Sequence, residues 1–371
     1  MRAQVLQAFN TSYVLKDVPT PPAPSGHDIL VQVQAASYCH TDAVFASGAM
    51  WQDLPRIGSH EFAGIIVNMG PSVSKDLGLD VGMPVGVPGR AFHPCGSCYE
   101  CRNNDGDPES YGVYCTKAGN LGLSRDGGFQ EFCTVDSRQV APMPAGMTAV
   151  ETAPLMCAGL TIWNALRAGR VGMHKGGGDG LTVAISGAGG GLGHLGVQFA
   201  VKLGCNVIAI DTGDASLKLL SDVAQSLGPL SSKLTIVDAK TQKAEDVLTT
   251  IFGQPEPGLE GEKGVDALLV LPEAQQALDY GTKLIKNHGV CVMVSFPKEG
   301  FLIQPRDLVF RHIQMVGVLV GRNHQLRAML NFASQEGVRA IIRTYKLEQL
   351  NQLVDDYHKG ASGKLVVDMA K

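Results

Sequence analysis

Leu181-Thr182-Val183-Ala184-Ile185-Ser186 runs directly into Gly187-Ala188-Gly189-Gly190-Gly191-Leu192-Gly193. The first six residues carry no charge and are mostly apolar, which reads as a strand buried on both faces. The glycines then permit a sharp turn, and residues 194–203 have the apolar spacing of a helix. Asn206-Val207-Ile208-Ala209-Ile210-Asp211 reads as the next strand. Strand, glycine turn, helix and strand make a βαβ unit, whose parallel strands are joined by a right-handed crossover. Downstream, Val265-Asp266-Ala267-Leu268-Leu269-Val270-Leu271 and Gly289-Val290-Cys291-Val292-Met293-Val294 are further strands between helical patterns. Alternation of this kind predicts an α/β domain with a parallel sheet covered by helices.

A glycine cluster between strand and helix lets backbone approach a pyrophosphate, and the helix start offers free N–H groups. The cluster is one residue longer than Gly-x-Gly-x-x-Gly, so the motif alone is weak and the flanking elements carry the reading. Asp211 lies 24 residues after Gly187, near the spacing of about 20 expected of the acid that binds the ribose hydroxyls. Gly187, Gly189, Gly190, Gly191, Leu192, Gly193 and Asp211 are therefore candidate cofactor-binding residues. A carboxylate at that strand end repels a 2′-phosphate, which favours NAD(H) over NADP(H). The plain alternative is a glycine-rich turn with an incidental Asp.

The first 150 residues have a different texture. Ile29-Leu30-Val31-Gln32-Val33-Gln34, Gly64-Ile65-Ile66-Val67 and residues 81–87 are short apolar or alternating runs broken by Gly and Pro. They predict a mostly antiparallel, barrel-like β domain. Helical spacing appears over 153–167 and 347–357, and Leu365-Val366-Val367-Asp368 reads as a last strand.

Two metal constellations lie in the first half. Cys95, Cys98 and Cys101 stand at i, i+3 and i+6, with thirteen residues between Cys101 and Cys115. Four thiolates closing a tetrahedron make a structural Zn(II) site. Two disulfides are the alternative. Nine cysteines is an odd number and no secretory signal is apparent, so metal is the better reading. Cys39, His60 and Cys157 offer two thiolates and one imidazole, which leaves one position free, as in a catalytic zinc site. Each alone is unremarkable, since a single buried Cys is usually a small hydrophobe. Cys133, Cys205 and Cys291 sit in apolar runs and read as such core residues.

Composition sets further bounds. The chain has 371 residues, 44% apolar content and a net charge of -4. That length suggests two domains. No basic run invites nucleic acid or an anionic membrane. No segment has the roughly 18 continuous apolar residues of a membrane span, and a cytoplasmic, reducing location is expected.

With both metal sets and the βαβ unit in one order, the sequence resembles the zinc-dependent medium-chain alcohol dehydrogenases, most of all the fungal and bacterial branch. The resemblance rests on Cys39-His40-Thr41-Asp42, Gly58-Ser59-His60-Glu61-Phe62-Ala63-Gly64, Leu155-Met156-Cys157-Ala158-Gly159-Leu160-Thr161 and the four-cysteine loop. It implies a GroES-like β-barrel catalytic domain, residues 1–155 and 321–371 with a structural zinc loop at 90–118. It also implies a Rossmann doubly wound parallel sheet binding NAD over 156–320. Cys39, His60 and Cys157 would hold the catalytic zinc, and Glu61 would be a carboxylate able to join it. Asp42 would orient His60, and Thr41 would contact the substrate oxygen. His40 and Lys364 would serve the NAD pyrophosphate. Implied partners are an alcohol and its aldehyde or ketone, and further copies of the chain, as a tetramer or a dimer.

Several positions depart from the family pattern. The relay histidine expected three residues after Thr41 is Val44, and a lysine expected five residues after Asp211 is Ser216. The Cys101–Cys115 interval is longer than usual. Where simple-alcohol enzymes of this branch carry tryptophans, this chain places Met50 or Trp51 and Arg90. These differences point to a substrate larger than ethanol. They also keep open a catalytically altered or idle homologue. A zinc-free reductase of the same superfamily fits poorly, because all three catalytic ligands are present.

Overall fold

The structure is a computed structural model that describes residues 1–50, 53–103 and 112–371. These form two compact units, Met1–Leu160 with Val320–Lys371, and Thr161–Leu319. In chain order the strands are β1 (Arg2–Leu6), β2 (Val14–Asp17), β3 (Asp28–Tyr38), β4 (Arg56–Ile57), β5 (Glu61–Met69), β6 (Pro84–Pro88), β7 (Phe132–Asp136), β8 (Ala141–Pro142), β9 (Thr182–Ser186), β10 (Asn206–Asp211), β11 (Leu234–Asp238), β12 (Val265–Val270), β13 (Ile285–Met293), β14 (Gln314–Gly317), β15 (Ile342–Tyr345) and β16 (Lys364–Asp368).

In the first unit β3 is the hub. Ile29, Leu30, Val31, Val33, Ala35, Ala36 and Tyr38 are buried along it and Gln32 alone is exposed, so both faces of the strand are largely covered. It pairs antiparallel with β5, β7 and β16 in a sheet of order β15-β16-β3-β5-β6-β8. A smaller sheet has the order β2-β1-β4. Leu6, Ile29, Phe62, Ile66 and Phe129 are all fully buried here. Each such side chain contributes roughly 1.5–3 kcal/mol by leaving water. This is the expected β domain. Its register fixes the site, because β3 ends at Tyr38, just before Cys39, and β5 begins at Glu61, just after His60.

In the second unit six parallel strands take the order β11-β10-β9-β12-β13-β14. The direction of winding reverses between β9 and β12. That reversal opens a crevice beyond the carboxyl ends of the strands, where ligands bind in doubly wound sheets. The core includes Ala184, Ile208, Leu268, Val270 and Cys291. The remaining two cysteines read as core, Cys133 and Cys205, are likewise buried.

Three local readings need correction. The helix expected over 153–167 is interrupted. A 3-10 turn spans Ala153–Met156, Cys157 leaves helical geometry at φ -121° and ψ -64°, and the helix proper is Ala158–Ala168. The strand expected at 81–87 begins later, because Gly82 turns the chain at φ 90° before β6. The helix expected at 347–357 opens as a 3-10 turn, Leu347–Gln349, and continues as Leu350–His358. Among the described residues no helix is long and apolar enough to cross a membrane.

Candidate active site

Cys39, His60 and Cys157 come from three separated stretches, yet their ligand atoms all lie within 4.8 Å of one another. Each sits at a break in regular structure. Cys39 is the cap residue of the helix His40–Ala46, His60 follows Ser59 at φ 70°, and Cys157 stands in the helix interruption. Asp42, 1% exposed, ties two of these stretches together. Its Oδ1 accepts from Ser59 N and pairs with His60 Nδ1, both at 3.1 Å, and its Oδ2 accepts from Cys39 N at 2.9 Å. With Nδ1–H donated to Asp42, the other ring nitrogen is left as an acceptor. His60 Nε2 is buried and has no hydrogen-bond partner. A buried acceptor without a donor costs about 1–3 kcal/mol, and a cation between it and the two sulfurs removes that cost. The donor set, one imidazole and two thiols, suits Zn(II).

Burial works against charge on His60, but the Asp42 carboxylate prevails and holds the imidazole well above its ordinary pKa, so it takes a metal by giving up a proton. A hydrogen bond from Cys157 holds the Cys39 thiol well below its ordinary pKa, while Cys157 is pushed well above its own. Both sulfurs bind a cation as thiolates, so metal binding here releases protons.

Glu61 is fully buried next to His60. Its Oε1 accepts from Lys364 Nζ, and its Oε2 from Ala158 N at 3.4 Å. Burial pushes this carboxyl up to about 7, even against the Lys364 ammonium. Lys364, 3% exposed, also donates to Tyr38 O at 3.2 Å. Burial acts to lower its pKa, but attraction to Glu61 and Cys39 prevails and keeps it charged. Lys364, expected at the cofactor, thus has its ammonium on Glu61. The sequence separation of 303 hides this contact from any local reading of the sequence.

The second constellation also assembles. The sulfurs of Cys95, Cys98, Cys101 and Cys115 lie within 4.8 Å of one another, and all nine cysteines are free of disulfides. Gly96, at φ 70°, bends the loop, and Cys98 N donates to Cys95 Sγ at 3.3 Å. Hydrogen bonds from Ser97 and Cys98 lower the Cys95 thiol to about 5. Arg90 braces this lobe. Its Nε donates to Val113 O at 2.7 Å and its Nη1 to Asn120 Oδ1 at 3.2 Å. Two of its three guanidinium nitrogens are thus engaged within this lobe.

On the second unit the glycine turn has the expected form. Gly187 takes φ 76°, and a Cβ on Gly193 would sit 2.2 Å from Gly187 O, so neither position admits a side chain without strain. The helix Gly193–Leu203 follows. Gly189, Gly190, Gly191 and Leu192 lie between the two. Asp211 closes β10 with its carboxylate against the turn, accepting from Gly189 N at 2.9 Å and Thr212 N at 2.8 Å. Thr41 and Val44 are half-buried on the helix His40–Ala46. His40 is exposed, and its Nδ1 lies 2.9 Å from Tyr357 Oη. Met50 is half-buried beyond that helix, and Trp51 lies outside the described residues. Nothing in the sequence singled out Tyr357.

Comparison with known proteins gives this arrangement its class. Residues 25–145 match the alcohol dehydrogenase GroES-like domain, and residues 191–335 match the zinc-binding dehydrogenase family. An alcohol dehydrogenase of Geobacillus stearothermophilus is 32% identical over 370 residues, covering 99% of each chain. Alcohol dehydrogenase 1 of Emericella nidulans is 30% identical, over 99% of this chain and 97% of that one. The solved alcohol dehydrogenase of Aeropyrum pernix superimposes with a TM-score of 0.79 at 27% identity, covering 99% of this chain and 100% of that one. The chain belongs to the zinc-dependent medium-chain alcohol dehydrogenase family. Its two units are the GroES-like and Rossmann-like folds of that family.

Proposed function

We propose that this protein is a zinc-dependent alcohol dehydrogenase or carbonyl reductase that moves a hydride between an alcohol carbon and NAD. The observation that carries the reading is the convergence of Cys39, His60 and Cys157 as a three-ligand set, with an orphan His60 Nε2 held in place by Asp42. When bound there, Zn(II) supplies Lewis acidity towards an alcohol or carbonyl oxygen, and the nicotinamide supplies the hydride chemistry.

The chain's own residues do the rest. Asp42 fixes the tautomer and orientation of His60. The Thr41 hydroxyl relays the proton, accepting it from the substrate oxygen in oxidation as it passes its own on towards water, with the reverse in reduction. Val44 cannot carry that proton onward, so it leaves to water by another route. Gly187, Gly189, Gly190, Gly191, Leu192 and Gly193 admit the pyrophosphate, Asp211 takes the ribose hydroxyls, and His40 contacts the pyrophosphate. Lys364 joins this set only by exchanging Glu61 for a phosphate oxygen. Cys95, Cys98, Cys101 and Cys115 hold a second, structural zinc. A flexible Met50 in place of a rigid ring suits a substrate larger than ethanol. Domain limits of 1–155 with 321–371, and 156–320, complete the reading.

Two wider features belong to it. Phe296, Leu302, Val309 and Phe310 are each more than 60% exposed, close in sequence to the edge strand β14. Exposed apolar side chains near an open sheet edge support association with further copies of the chain, as a tetramer or, failing that, a dimer. Nine free cysteines suit a cytoplasmic, reducing location.

The test is alcohol-dependent reduction of NAD across a panel from ethanol to bulky, partly polar alcohols. Turnover that is best on a larger alcohol supports the reading. Ethanol as the best substrate refutes the pocket argument, and no turnover in zinc-replete protein establishes the idle homologue.

A further inference from the structure

The buried Glu61–Lys364 pair has a position that gives it work. Glu61 follows His60 in the chain, and its Oε2 accepts from the backbone N of Ala158, the residue after Cys157. Two of the three metal ligands therefore have this carboxylate as a near neighbour. Both carboxylate oxygens are occupied, Oε1 by Lys364 and Oε2 by Ala158. Lys364 is itself fixed, since its ammonium also donates to Tyr38 O at 3.2 Å, at the end of the strand that leads into Cys39. Glu61 is 0% exposed and Lys364 3%, so water can replace neither partner. A carboxylate left unpaired in such a place would turn to the nearest available cation.

We infer that Lys364 is a positioning residue that holds Glu61 off the fourth coordination position of the catalytic metal and so keeps that position open for substrate. The inference rests on the reading of Cys39, His60 and Cys157 as the metal set. Without the ammonium, Glu61 would lose its strongest partner and close the site as a fourth ligand. Methionine at 364 matches lysine in length and removes the charge.

The experiment replaces zinc with cobalt(II) in the whole protein, and follows the visible d–d bands and the binding of imidazole as a probe of the open position. In Lys364→Met the bands should shift and imidazole should bind at least about tenfold more weakly, because a tethered carboxylate competes at roughly millimolar effective concentration or above. Lys364→Arg should keep wild-type bands. Adding Glu61→Gln to Lys364→Met should restore imidazole binding, which a merely structural defect would not do. Wild-type bands and imidazole affinity in Lys364→Met, or no rescue by Glu61→Gln, would overturn the inference. Should Lys364→Met fail to hold cobalt, Lys364→Gln, neutral but still a donor, takes its place under the same criteria. Wild-type protein with no cobalt band that Cys157→Ser removes would sink the metal reading and the inference together, a result distinct from the others.

Discussion

The chemistry at residue scale depends on which atoms of a few side chains are left free. Asp42 uses both oxygens on neighbouring groups, so its substitution should act through His60. Asp42→Asn keeps the shape but loses the charge and permits the wrong tautomer. Zinc affinity at the catalytic set should fall by about 10–100-fold, in the range seen when a ligand's supporting partner is removed. Competition with a metal chelator measures it, and unchanged affinity would contradict the orienting role. Asp211 gives a second residue-scale expectation. Asp211→Ser removes the anion that repels a 2′-phosphate, so the kcat/KM ratio of NADP(H) to NAD(H) should rise about tenfold or more. An unchanged ratio would count against its place at the ribose.

Elements show how the two metal sets differ. Cys95, Cys98, Cys101 and Cys115 come from one short stretch of chain, so their metal ties that stretch together directly. Cys115→Ser should lower the melting temperature and release one zinc, since a structural site couples metal binding to folding. The pH dependence has a definite sign. Thiolates bind metal and thiols do not, so retention weakens as pH falls. Cys95, lowered to about 5 by hydrogen bonds from Ser97 and Cys98, stays a thiolate to lower pH than an ordinary thiol does. Rising metal retention on acidification would contradict this.

The same scale shows what the sequence disclosed. Strand β9, its glycine turn and Asp211 were legible, because each is decided by neighbours a few residues away. Edge strands β11 and β14 were not, because they are only partly buried and lack a continuous apolar run. The interruption at Cys157 was hidden by unbroken apolar spacing on both sides. The contact of Glu61 with Lys364 depends on β16 pairing with β3, which no local pattern encodes. Arg90 was legible only as a position, and its contacts with Val113 and Asn120 are not encoded by any local pattern.

Across the whole molecule, sequence, folds and metal sets point to one enzyme family, and the surface adds an expectation of assembly. Phe310, 78% exposed, is the most exposed member of its apolar group, so Phe310→Asp should reduce the mass measured by light scattering. A wild-type mass that Phe310→Asp leaves unchanged would remove this patch from the interface. The most direct test of the central claim is elemental analysis of zinc in purified wild-type protein and in His60→Ala, alongside NAD reduction by alcohol. The expected result is two zinc ions per chain with activity in the wild type, and one zinc with a retained fold and no activity in His60→Ala. Full activity with one zinc or none, or His60→Ala retaining both zinc and turnover, would contradict it.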